Sequence, residues 1–166
     1  RSRRLCGATG ELCREQAILA WQDNQRSTEA FHDGSGDCSF TTFHGYEYTL
    51  AKQSSNLHRN VIFSSAVVPQ AVASAKEATT PEALWRWLYD SCIAGNSQCN
   101  ALAIPHNSNW SSGRMWQPYS NSDVDSEQQQ DWARLRAQVE PLAEILQVKG
   151  DSECRNGIAS VFGEAD

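Results

Sequence analysis

No apolar run in this 166-residue chain approaches the roughly 18 residues of a membrane span, so no segment reads as crossing a bilayer. Beyond the first four residues there is no Lys/Arg cluster. The net charge is −6 and the pI about 5.2, which argues against docking on nucleic-acid phosphates. GxSxG is missing, and with it the strained elbow that exposes a hydrolase serine. GxxxxGKS/T is missing, so no backbone loop is built to cradle nucleotide phosphates. No CxxC occurs and no His stands at zinc-finger distance from a Cys, which removes a structural zinc site. HxH, HExxH and DxH are absent too, so no single motif announces a metal. No signal peptide and no internal repeat are visible.

What is present suffices for one ordinary domain, with 40% hydrophobic and 20% charged residues. Six cysteines are many for a reducing compartment. Cys6 and Cys13 are seven apart, as are Cys92 and Cys99, while Cys38 and Cys154 stand alone. Disulfides in an oxidising compartment fit this usage better than free thiols, and point to a periplasmic or extracellular location. Six cysteines allow fifteen pairings, and spacing does not choose among them. The chain opens on Arg1 and stops at Asp166 with no terminal element, which reads as one partial domain, 1–166, internal to a longer protein.

Periodicity predicts a helix over 11–31, where Leu12, Ala17, Ile18, Trp21 and Gln25 lie near a 3.6 repeat. A strand is expected over 39–48 and another over 57–63, joined by a turn at "AKQSSN". Thr80, Pro81 and Glu82 predict a helix start: a cap, a residue suited to the first turn and a favourable charge. "ALAIP" at 101–105 reads as a strand buried on both faces. Ser126 with Gln129 suggests a capping box for a helix running to Pro141, and "AEILQVK" at 143–149 a further buried strand. Strands alternating with helices imply an α/β fold with mostly parallel strands flanked by helices.

Such sheets carry their chemistry at the strand ends. The opening strand ends in Glu47, and the next begins beside His58 and Arg59. "ALAIP" runs into His106, Asn107 and Asn109, and the last strand into Lys149, Asp151, Ser152 and Glu153. Glu47, His58 and His106 offer one carboxylate and two imidazoles, a donor set for zinc, manganese or iron. Three protein ligands leave positions open for water or substrate. Arg59 has a fork of donors for a phosphate or for a structural ion pair, and Asn107 and Asn109 can orient ligands or substrate. His32 and His44 have no such setting.

The motifs "CSFTTFHGYEYT", "NLHRNVIF", "LAIPHNSNWSSGRMW" and "VEPLAEILQVKGDSEC" resemble, in order and spacing, those of the domain of unknown function 3604 family. "LCGATGELC" and "LWRWLYDSC" extend the resemblance over nearly the whole chain. The family is grouped with the polymerase and histidinol phosphatase (PHP) superfamily. That resemblance implies part of a distorted PHP-like β/α barrel with a divalent metal cluster at its rim, and hydrolysis of small phosphate esters. It makes Glu47 a bridging carboxylate walled by Tyr46 and Tyr48, and His58 and His106 metal ligands. The superfamily's HxH and Asp-x-His motifs have no match here, which implies that residues 1–166 alone are inactive. The alternative is a non-catalytic, disulfide-stabilised module for a sugar or peptide, with Trp110, Trp116 and Tyr119 lining a groove.

Overall fold

The computed structural model describes residues 5–52, 54–118, 123–148 and 150–151. Cys154, Tyr119, Lys149, Ser152 and Glu153 lie outside the described residues. Helix α1 spans Glu11–Phe31, as its periodicity predicts. Strand β1 is His44–Tyr48, and a small hairpin, β2 (Ala51–Lys52) and β3 (Ser55–Asn56), leads to β4, Arg59–Phe63. Helix α2, Pro81–Leu88, runs on into a wide π turn at Tyr89–Ile93. Strand β5 is Ala101–Pro105 and helix α3 is Ser126–Val139. A minimal hairpin follows, β6 (Leu146–Gln147) with β7 (Gly150–Asp151).

The main sheet has three strands in the order β1-β4-β5, and both pairings are antiparallel. This overturns the expected parallel β/α barrel: the described residues form a small α+β unit of three helices around an antiparallel sheet. The physical reason lies in the connections. A two-residue hairpin pair carries the chain from β1 to β4 and returns it beside itself, which a parallel pair cannot do without a long crossover. The 101–105 run is also not buried on both faces. Ala101, Ala103 and Pro105 are buried and Leu102 and Ile104 only half so, the alternation of a sheet with one core face.

That core face carries His44 and Tyr48 of β1 together with Arg59, Val61 and Phe63 of β4. Leu84, Trp85 and Leu88 of α2 and Leu135 and Val139 of α3 belong to the same buried cluster. Thr80 caps α2 as predicted, its hydroxyl accepting from the Ala83 N–H at 3.2 Å. For α3 the cap is one residue earlier than the capping box suggests: Asp125 accepts from the Gln128 N–H at 2.8 Å. Helix α1 attaches through Trp21, which packs on His44, Tyr46 and Phe63 and donates its indole N–H to the Pro69 carbonyl at 2.8 Å. The predicted buried strand over 143–149 is not found. Only Leu146–Gln147 pairs, and Ile145 and Leu146 are exposed, because nothing among the described residues covers that hairpin's apolar side.

Two disulfides close short loops, Cys6–Cys13 and Cys92–Cys99, while Cys38 is an exposed free thiol. Such bonds fit an oxidising environment. Cys92–Cys99 ties the end of the π turn to the approach of β5, with both residues buried. Cutting it frees a loop of seven residues of sequence separation, worth about 2–3 kcal/mol by loop-closure entropy. A paired Cys92→Ala/Cys99→Ala variant is expected to lose that much in urea unfolding. A loss below half a kcal/mol would refute the idea that this bond holds β5 in place.

Candidate metal centre

Strand direction decides which residues meet. With β4 antiparallel to both neighbours, the start of β4 lies beside the ends of β1 and β5. Tyr48 pairs with Arg59 and Arg59 with Pro105, so the next rung outward sets His58 against His106. Glu47 pairs with Asn60, and His58 precedes Asn60 by two, which places both on the same sheet face. That face is the one turned away from the core. The same alternation turns Tyr46 and Tyr48 to the other side, so they are not walls for Glu47. Their hydroxyls donate to the Ala73 and Ala78 carbonyls at 3.0 and 2.7 Å. Burial pushes the Tyr48 phenol up to about 12, although Arg59 pulls it down.

Glu47, His58 and His106 each offer a ligand atom, and these atoms all lie within 4.8 Å of one another. The Glu47 Oε1 is 2.8 Å from His58 Nδ1 and 3.6 Å from His106 Nε2. The rings meet edge to face, 5.2 Å between centroids. Both histidines are half-buried and Glu47 is half exposed. Partial burial pulls the Glu47 carboxyl up, but the Thr49 hydroxyl and the two imidazoles outweigh it and hold it below the ordinary value. The Thr49 hydroxyl donates to Oε1 at 3.1 Å.

The cluster fits a divalent ion on its chemistry and its spacing. Ligand atoms of a tetrahedral ion sit about 3.4 Å apart, given bonds of about 2.1 Å. The His106 contact, 3.6 Å, is close to that spacing, and the His58 contact has to open from its 2.8 Å by about 0.6 Å. Each imidazole turns one nitrogen to Glu47 and keeps the other, His58 Nε2 or His106 Nδ1, buried with no partner among the described residues. Among the described residues this is the one such group of His, Cys, Asp and Glu side chains.

Arg59 is buried, and its Nε donates to Glu140 Oε1 at 2.7 Å, while Nη1 reaches the Leu57 carbonyl and the Met115 sulfur. Of its two predicted uses, this is the structural ion pair. Asn107 is buried, its backbone N–H donates to Glu144 Oε2 at 3.0 Å, and its amide has no partner among the described residues. Asn109 is half-buried in the same loop. Sequence reasoning missed Glu140 and Glu144 altogether. They stand four apart around Pro141, and no local motif marks either as a partner of residues 35 or more positions away.

A family model described as "Protein of unknown function (DUF3604)" matches residues 6–166. No curated protein and no solved structure matches the chain.

Proposed function

We propose the following from the premise that this chain belongs to the DUF3604 family: Glu47, His58 and His106 hold a divalent metal ion, and the protein that carries them hydrolyses a phosphate ester. The observation behind the proposal is the convergence of one carboxylate and two imidazoles from three strand ends within 4.8 Å. The motif resemblance to the PHP superfamily supports the reaction class, and the donor set suits zinc, manganese or iron. When bound, such an ion supplies Lewis-acid charge and a water of lowered pKa. The residues themselves supply a fixed face: Glu47 stays ionised and Thr49 holds its Oε1. The two disulfides are consistent with a periplasmic or extracellular setting.

The test is the metal content of the full-length protein beside Glu47→Gln and His106→Ala. Each variant is expected to lose the ion, and unchanged stoichiometry in both would sink the assignment. Acid sharpens the test. The folded Glu47 value is depressed, so its contribution to stability is complete above its unfolded value of 4.5 and disappears as pH falls through the lower folded value. Urea midpoints of the metal-free protein are expected to fall below about pH 4.5 more steeply in the wild type than in Glu47→Gln. Parallel pH profiles would show that the carboxylate is not held by its neighbours.

A second reading, a non-catalytic disulfide-stabilised module for a sugar or peptide, draws on Trp110, which is 81% exposed at a positive φ of 60° in the loop after His106. Ester turnover that His106→Ala abolishes, while the variant still binds ligand, would speak against it.

A further inference from the structure

Two acids four residues apart hold the neighbours of both histidines. Glu140, at the end of α3, accepts from the Nε of Arg59, the residue after His58, at 2.7 Å. Arg136 Nε donates to its other oxygen at 3.1 Å, so the carboxylate is fixed from two sides. Glu144 grips the chain on either side of His106. Its own N–H donates to the Pro105 carbonyl at 3.0 Å, and its Oε2 accepts from the Asn107 N–H at 3.0 Å. Gln147 Nε2 donates to the same oxygen at 2.8 Å and keeps the side chain in place. His106 lies at the end of β5, where no further strand pairing holds it. Glu144 therefore holds the chain on both sides of His106, while His58 is bracketed by the Leu57 N–H bond to the Leu50 carbonyl at 2.8 Å and by Arg59, whose side chain Glu140 holds.

We propose that the segment Glu140–Glu144 is the positioning element of the metal centre, with Glu144 fixing the angle at which His106 meets Glu47 and His58. This rests on the metal reading above. A single stretch of chain reaches the start of β4 and the end of β5 and ties the neighbours of both histidines to the end of α3. Neither acid is a ligand. Their role is to keep two imidazoles at the separation an ion requires, and loss of such outer support costs about 10–100-fold in metal affinity.

The experiment is a titration of the metal-free full-length protein with zinc and with cobalt, the visible spectrum of cobalt reporting coordination geometry. Glu144→Ala is expected to weaken zinc binding about tenfold or more and to change the cobalt spectrum. Glu144→Gln, whose amide oxygen still accepts from Asn107, is expected to keep both near wild type. Glu144→Asp is the second variant should alanine fail to fold: it keeps the charge and the N–H bond to Pro105 but draws the oxygen back from Asn107, and an intermediate loss is expected. A merely structural role would lower the thermal midpoint without separating glutamine from alanine in metal affinity or spectrum. Wild-type affinity and spectrum in Glu144→Ala, or in Glu144→Asp if alanine does not fold, with binding lost in His106→Ala, would overturn the positioning role alone. Equal binding by wild type and His106→Ala would overturn the metal reading and this proposal together.

Discussion

Glu140→Ala is expected to lower the unfolding free energy by about 3–5 kcal/mol, the cost of leaving one member of a buried ion pair without its partner. The Arg59 and Glu140 side chains are only 2% and 1% exposed, and their contact is 2.7 Å. Removing the acid leaves the buried guanidinium without its 2.7 Å carboxylate partner, beside the Leu57 carbonyl and the Met115 sulfur. Arg136 loses a partner at the same time. Urea unfolding reads the loss as a fall in the midpoint at constant slope. The pair need not be the most stable choice for that space. Arg59→Met with Glu140→Leu should recover much of the loss, because neither charge then has to leave water. A loss of under 1 kcal/mol in Glu140→Ala would mean that solvent reaches the site after all.

The second large effect is a gain. Zinc or manganese supplied at a thousand times its Kd is expected to raise the unfolding free energy by about 4 kcal/mol, since the ion binds the folded chain and not the dispersed ligands. Thermal midpoints with metal and with chelator measure this directly. His106→Ala and Glu47→Gln should show most of that gain removed, each shift being read against the variant's own metal-free midpoint. Equal metal-induced shifts in wild type and both variants would place any bound ion somewhere other than between β1, β4 and β5.

Much of the local structure was legible because it is written in short-range chemistry. The α1 boundaries follow from an uninterrupted periodic stretch, the α2 start from Thr80 and Pro81, and β5 from five residues between turn-formers. Strand direction was not legible. Alternating helix and strand suggests crossovers, but direction depends on which edge a returning strand pairs with, and neither Arg59 nor Pro105 carries that information alone. "AEILQVK" failed for a related reason: an apolar composition says that a segment can be buried, not that a neighbour exists to bury it. The convergence of the candidate trio was legible in part. Glu47, His58 and His106 do come together at one edge of the sheet, though His58 comes from the start of its strand in an antiparallel sheet. Arg59 was ambiguous because a phosphate and a buried carboxylate ask the same of a guanidinium.

The rung that sets His58 against His106 makes the candidate centre a gauge of strand register. Sliding β5 by one residue along β4 would send His106 to the core face, opposite the buried Arg59, and bring the Asn107 amide outward in its stead. A slip of two would restore the face but carry the imidazole about 7 Å along the sheet, out of reach of Glu47. A one-residue insertion or deletion between Ile104 and His106 should therefore abolish metal uptake even where the protein still folds. Ion binding would then serve as an assay for how this sheet was assembled.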